Sequence, residues 1–359
     1  MSDDGPAAGS SSAEIGPGSS LLIAALEHAE IELSLEPGLG DGERVEESLA
    51  RLRGLSENQR PEVWITSGLS PSKPDLLGPA LSAEWDLPYV LLQPSVEFID
   101  AEELPEAGPV RQALALADKV ISTNTRVVRS LLGYAANQNR VIHLLPFIDT
   151  APDMAAYQLR HQQRTQMAAQ LQLQAGTPWI LAAANMEPGD ALESYRFLAR
   201  GMSRILSLDW SLIILGDGPS RVDVEQALGA LPRDRARIWS SSVPKDRINL
   251  FNVSDVYAWP ALGDCEVDTL LEAQASASPV VASAGSGTAD RMIDATTGKM
   301  TQAENPESFG QGVGFLLRHQ PFRESYANQA REQAATNHDL RPAGKALRGI
   351  LKETVKNRP

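Results

Sequence analysis

The chain has 359 residues and 42% hydrophobic content, too long for one ordinary core and suited to two. Lys plus Arg number 32 against 46 Asp plus Glu, a net charge of −14, so the surface repels nucleic acid and anionic lipid and excludes both as primary partners. The single Cys265 excludes an intramolecular disulfide or a cysteine zinc cluster. No apolar run reaches transmembrane length and no basic-then-apolar signal opens the chain, so a cytoplasmic protein without an integral membrane segment is the expectation.

Residues 1 to about 20 are Gly, Ser, Ala and Pro without an apolar period and are expected to form a disordered tail. A first α/β domain is predicted over 21–150. It begins with a helix at Leu21 to Glu30, a short strand at Ile31 to Leu35 and a charged helix at Glu43 to Leu55. A strand at Glu62 to Ser67, a helix at Lys73 to Trp85 and a strand at Tyr89 to Gln93 follow. Pro109 to Ala117, Lys119 to Thr123, Thr125 to Tyr134 and Val141 to Leu145 alternate helix and strand. No buried strand is predicted before Leu21, so a first strand is expected to be missing from this domain, an appearance that an incorrect start site would equally produce.

The second domain is predicted over 151–336. A Gln-rich helix at Tyr157 to Leu173 is expected to be solvated on one face, as a surface linker helix. Strands at Trp179 to Ala184, Trp210 to Leu215, Ala236 to Trp239, Val256 to Trp259 and Pro279 to Ser283 alternate with helices. Helices at Glu307 to Arg318 and Arg323 to Thr336 close the domain, and a last helix, Leu340 to Val355, occupies the segment 337–359. Strands alternating with helices in short steps predict parallel sheets with crossover helices. Ligands in such sheets sit beyond the carboxyl ends of the strands.

Two stretches gather the candidate residues. Gly216-Asp217-Gly218-Pro219 follows a buried strand and precedes a helix; glycines allow a sharp turn and close approach of a ligand, and a generic strand-to-helix turn explains them equally. Asp264-Cys265-Glu266-Val267-Asp268 forms a loop ahead of a helix carrying Glu272. Glu272 can accept hydroxyl hydrogen bonds or be a solvated helix residue, and Asp264 can serve a ligand or its own turn. Gly285-Ser286-Gly287 can donate amides to a phosphate, or turn the chain for geometric reasons alone. His28, His143, His161, His319 and His338 fall in separate elements and suit structural or exposed places better than catalysis. There is no clustered His, no Cys pair and no Asp-x-Asp, so no metal site is expected. GSGTAD lacks the third glycine and acidic partner of a dinucleotide fingerprint.

GDGP, the Asp264-to-Glu272 segment with LLEAQA, and PVVAS followed by Gly285-Ser286-Gly287 resemble retaining glycosyltransferases of family 4 (glycosyl transferases group 1). Thr297-Gly298 falls at a Thr-Gly turn of that family, and Pro146 to Asp149 resembles its hinge. The resemblance implies the GT-B fold, two Rossmann-like domains facing a cleft. It also implies hexose transfer with retention from a nucleotide-diphosphate sugar to a glycan or lipid acceptor, with no metal or other cofactor. Gly216 to Pro219 would lie near the nucleotide, Glu272 on the ribose, and Asp264 at the donor sugar.

The pattern is altered where the diphosphate is expected. The family's phosphate-clamp Arg falls at Glu187 and its Lys at Ala191, and residues 185–195 contain no Lys or Arg. Asp264-Cys265-Glu266-Val267 stands where active relatives have Glu-Gly-Phe-Gly: Val267 replaces a glycine and disfavours positive φ, and Glu266 and Asp268 add two negative charges beside the expected diphosphate. Gly68 and Ser95 occupy the regions of an acceptor-side His. Two readings follow: an enzyme of this family impaired in turnover, or a catalytically inactive relative acting as a binding subunit for a protein partner.

Overall fold

A computed structural model describes residues 17–36, 42–70, 73–94, 108–134, 138–241 and 243–356. It divides into two compact units. The first takes Met1–Ser122, Val127–His143 and Gly344–Pro359; the second takes Thr123–Arg126 and Leu144–Ala343. The expected tail lies outside the described residues up to residue 16, and residues 17–20 already belong to the helix Pro17–His28. Ser95 also lies outside them.

In the first unit the strands β1 (Trp64–Ser67), β2 (Tyr89–Leu92), β3 (Lys119–Ser122) and β4 (Val141–His143) form a parallel sheet in the order β1-β2-β3-β4. Every residue of β2 is buried, the uninterrupted apolar run that a strand covered on both faces requires. Leu91 packs with Val110, Val120 and Leu131, while Val45, Leu52, Leu77 and Leu81 form a separate cluster. Strand order follows chain order throughout, so this sheet has no point of reversal among the described residues.

Two expectations are corrected here. Ile31 to Leu35 alternates in burial but joins no ladder among the described residues, because a period of two makes a strand only when a neighbour completes its hydrogen bonds. The helix expected from Lys73 begins at Leu77: the Asp75 carboxylate accepts the amides of Leu77 and Gly78, both at 2.9 Å, and so lies ahead of the first turn. The last helix, Leu340–Lys356, brings Gly344 so close to the helix Pro17–His28 that a Cβ would stand 2.2 Å from the Ala25 carbonyl oxygen.

The second unit holds β5 (Trp179–Ala183), β6 (Ser211–Leu215), β7 (Ala236–Trp239), β8 (Val256–Ala258), β9 (Val280–Ser283) and β10 (Gly298–Thr301). All pair in parallel, in the order β10-β9-β8-β5-β6-β7. The chain leaves β5 toward one edge and returns to its other side at β8. The strand order therefore reverses between β5 and β8, and the crevice beyond their carboxyl ends is where a doubly wound sheet binds ligands.

The bounds of the Gln-rich helix are also corrected. Tyr157 to Leu173 is parted between the helices Ala151–Tyr157 and Arg160–Leu171, and the second buries Gln163, Met167, Ala168 and Leu171. Its inward stripe packs on the core of the unit, and the opposite face is exposed as expected. Within the same unit the segment after Pro146 is held by the turn at His338. The Pro146 carbonyl oxygen lies 2.7 Å from His338 Nδ1, Ile148 N donates to the His338 carbonyl, and Thr150 donates to Asp339. Burial lowers the pKa of His338. Among the described residues no helix is long and apolar enough to cross a membrane.

Candidate functional site

At the carboxyl ends of the second sheet the loop after β5 meets both the Gly216 turn and the loop after β8. At Gly216 a Cβ would stand 2.0 Å from the Ala184 carbonyl oxygen, and at Gly218, where φ is +151°, 2.7 Å from that of Met186. Met186 N donates to the Asp217 carbonyl and Ser220 N to the Met186 carbonyl, both at 2.8 Å. The two glycines are therefore required by the approach of one strand-end loop to the next. Asp217 pairs with Arg221 at 3.3 Å, and Pro219 is exposed. Gly216→Ala is expected to cost about 2 kcal/mol of stability by forcing backbone apart. Gly285→Ala, whose Cβ would meet nothing nearer than 3.6 Å, should be close to neutral. Equal urea midpoints for the two variants would refute this reading of the turn.

The segment after β8 is wound through left-handed conformations: φ is positive at Ala261, Gly263, Asp264 and Glu266. A non-glycine residue in that region costs about 1–2 kcal/mol, less for Asp. Val267 is not among them; it lies 7% exposed in the hydrophobic core, so its β-branched side chain packs rather than strains. The left-handed turns fall instead on the carboxylates either side of Cys265.

Those carboxylates occupy backbone amides. Asp264 Oδ1 accepts from Gly287 N at 3.0 Å, and Glu266 Oε1 accepts from Asn185 N at 3.4 Å. A Cβ at Gly287 would stand 2.6 Å from Asp264 Oδ1, so the contact needs glycine there. Gly285 precedes, and Ser286 opens, the four-residue helix Ser286–Ala289. Of the three amides expected to greet a phosphate, that of Gly287 is thus answered by an acidic side chain of the chain itself.

Two arginines that local sequence did not single out hold the remaining acids. Arg247, from the helix Pro244–Val253, forms a two-pronged pair with Glu272 at 2.7 and 2.9 Å. Arg291, only 5% exposed, donates to Asp268 at 2.8 Å and to the Gly287 carbonyl at 3.1 Å. Glu272 sits in the first turn of Thr269–Ala275, where the helix dipole also favours its charge. Nearby Asp153 is buried and accepts from Ser276 Oγ at 2.6 Å. Burial pushes its pKa up to about 6, opposed by the Ser276 hydrogen bond, with the Glu272 charge adding to the rise.

Cys265 is no activated nucleophile. Burial first, opposed by a Ser194 contact and reinforced by the charges of Asp190, Glu266 and Asp264, raises its thiol to about 11. Burial first, then the Glu266 charge, also raises Tyr195, whose hydroxyl donates to the Ala184 carbonyl. Of the two altered clamp positions, Glu187 is exposed, whereas Ala191 is buried in the first turn of Asp190–Met202. Among the described residues no group of three or more His, Cys, Asp or Glu could hold a metal ion.

Residues 177–319 match the family model described as glycosyl transferases group 1. An alpha-D-kanosaminyltransferase of Streptomyces kanamyceticus is 27% identical over 177 residues, covering 49% of this chain and 46% of that protein. A D-inositol 3-phosphate glycosyltransferase of Xylanimonas cellulosilytica is 23% identical over 295 residues, 78% of this chain and 70% of its own. The chain thus spans about half the length of the first of these relatives. The fold is shared with the Anabaena protein HepE, solved in complex with UDP-glucose. It superposes with a TM-score of 0.67 at 13% identity over 96% of this chain and 98% of that one.

Proposed function

We propose, from the premise that this chain is a divergent relative of the group 1 glycosyl transferases with the two Rossmann-like units of the GT-B fold, that its second unit binds a nucleotide-diphosphate sugar and transfers the sugar poorly. The ancestral reaction in this reading moves a hexose, with retention, to a glycan or lipid acceptor and uses no metal or other cofactor. The observation that carries the impairment is that Asp264 and Glu266 occupy the amides of Gly287 and Asn185. A departing diphosphate needs cations and free amide donors, and here it meets carboxylates on those donors. UDP-glucose bound by HepE, a protein of the same fold, supports a sugar nucleotide as the ligand. Glu272 would take the ribose hydroxyls only after releasing Arg247, and the freed guanidinium would then face the incoming anion.

Thermal shift with UDP-, GDP- and ADP-glucose, together with release of free sugar, tests the reading. A rise in melting temperature with one nucleotide and slow or absent sugar release is expected. No shift at millimolar nucleotide would sink the binding claim, and fast turnover would sink the impairment. A folded protein that binds but never releases sugar would make it the inactive member of a partnership.

Charge at the clamp gives a sharper expectation. Glu187 is exposed, so arginine fits there without repacking. Taking about 6 Å to the diphosphate and the dielectric of water, each unit pair contributes roughly 0.7 kcal/mol. Reversing the sign should then tighten UDP binding about tenfold. Ala191→Lys should instead lose stability, because that position is 6% exposed. Titration of UDP into Glu187→Arg with unchanged affinity would place the diphosphate elsewhere.

A further inference from the structure

At the opposite end of the second sheet, the chain just before β5 and just before β8 lines a cavity of about 250 Å³ together with Arg160, His161, Arg164 and Arg323. Three guanidiniums line it with a single carboxylate, Asp255, in a protein whose net charge is −14. Arg164 is fully engaged. It donates to Asp255 at 2.9 Å and to the Thr177 carbonyl at 2.7 Å, and it stacks on Trp179 at 3.8 Å from the ring centre. Asp255 is further committed to the Trp179 amide at 2.8 Å.

Arg160 and Arg323 are answered differently. Arg160 donates to the Ser254 carbonyl and Arg323 to the Leu316 carbonyl, each at 2.8 Å. Carbonyls orient a guanidinium without neutralising it. Burial lowers the pKa of Arg160, Asp255 opposes this, and the neighbouring Arg323 lowers it further, the mark of a cation short of counter-charge. Arg160 and His161 also begin the helix Arg160–Leu171, whose first amides and dipole favour an anion. Half-buried cations facing one another are costly unless something negative completes them.

We propose that this cavity is a binding site for a small phosphoryl-bearing anion, held by Arg160, Arg323 and His161 on the foundation of the Arg164–Asp255 pair. Its volume is below the roughly 300–1,000 Å³ of pockets for drug-sized ligands, which suits free phosphate or a short phosphorylated metabolite rather than a nucleotide sugar. Because it lies at the amino ends of the strands, it is a separate site from the loops that follow β5 and β8. It does not depend on the donor reading above.

The test is calorimetric titration of the full chain with inorganic phosphate, with glycerol phosphate and, as the neutral control, with glycerol. Saturable binding of phosphate is expected, not displaced by UDP and weakened at least tenfold in both Arg323→Gln and His161→Glu. Tighter binding of glycerol phosphate would identify a phosphorylated metabolite as the occupant, and equal binding would identify phosphate itself. His161 is exposed, so its variant keeps the test decisive if the loss of Arg323 disturbs the helix end it caps. No saturable binding, binding that survives both variants, or displacement by UDP would overturn the proposal.

Discussion

Arg164→Ala is expected to destabilise the second unit by about 3–5 kcal/mol, the cost typical of removing one partner of a buried ion pair. The side chains of Arg164 and Asp255 are only 15% and 24% exposed. Removing the guanidinium strands the Asp255 charge and takes donors from the carbonyls of Val253, Ala175 and Thr177. It also removes the cation seated on Trp179, the first residue of β5. Arg164→Lys keeps the charge but not the planar fork, and should fall between wild type and the alanine variant. Urea unfolding gives the comparison. A loss under about 1 kcal/mol for the alanine variant would mean that Asp255 finds water, as exposed pairs do.

The second large effect is one of pH. Asp153 holds its proton to about pH 6 in the fold, against its ordinary value of 3.8. The native state therefore binds more protons than the unfolded state between those values. The stability associated with this carboxyl is fully present below the unfolded pKa and is lost as pH rises through the folded one. A rise of about two units corresponds to about 3 kcal/mol. Asp153→Asn keeps an acceptor for the Ser276 hydroxyl and has no charge to bury. The variant should gain on wild type by up to that amount between pH 4 and pH 7.5, read as the difference between their unfolding free energies. Parallel pH profiles would show that Asp153 is solvated in the fold. The same burial couples Asp153 to Glu272, so the ionised state of one is felt by the carboxylate assigned to the ribose.

Much of the architecture was legible because local signals agree with the global fold. Short apolar runs such as WILAA and SLIIL, bounded by turn residues, read as strands covered on both faces, and Gly216 and Gly218 mark a turn that side chains would block. Lys119 to Thr123 and Thr125 to Tyr134 matched their elements to within a residue. Ile31 to Leu35 misled because strand pairing is a property of two segments, and one segment's alternation says nothing of the other. The Gln-rich helix was solvated on one face as expected, but its break between Tyr157 and Arg160 was not legible, because no Gly or Pro marks it along the chain.

The sequence by itself determined the alternation of strand and helix, the acidic loop at 264–268 and the absence of Lys and Arg from 185–195. Those are statements about which residues stand near one another along the chain. Tertiary structure alone decided who partners whom: Arg247 with Glu272 across 25 positions, Arg291 with Asp268 across 23, and Arg164 with Asp255 across 91. Charge acts through space over a few ångströms, while sequence separation sets only the chain that must fold to bring the charges together. The acidic loop was therefore visible before the fold was known. That its carboxylates would settle on the chain's own amides was not.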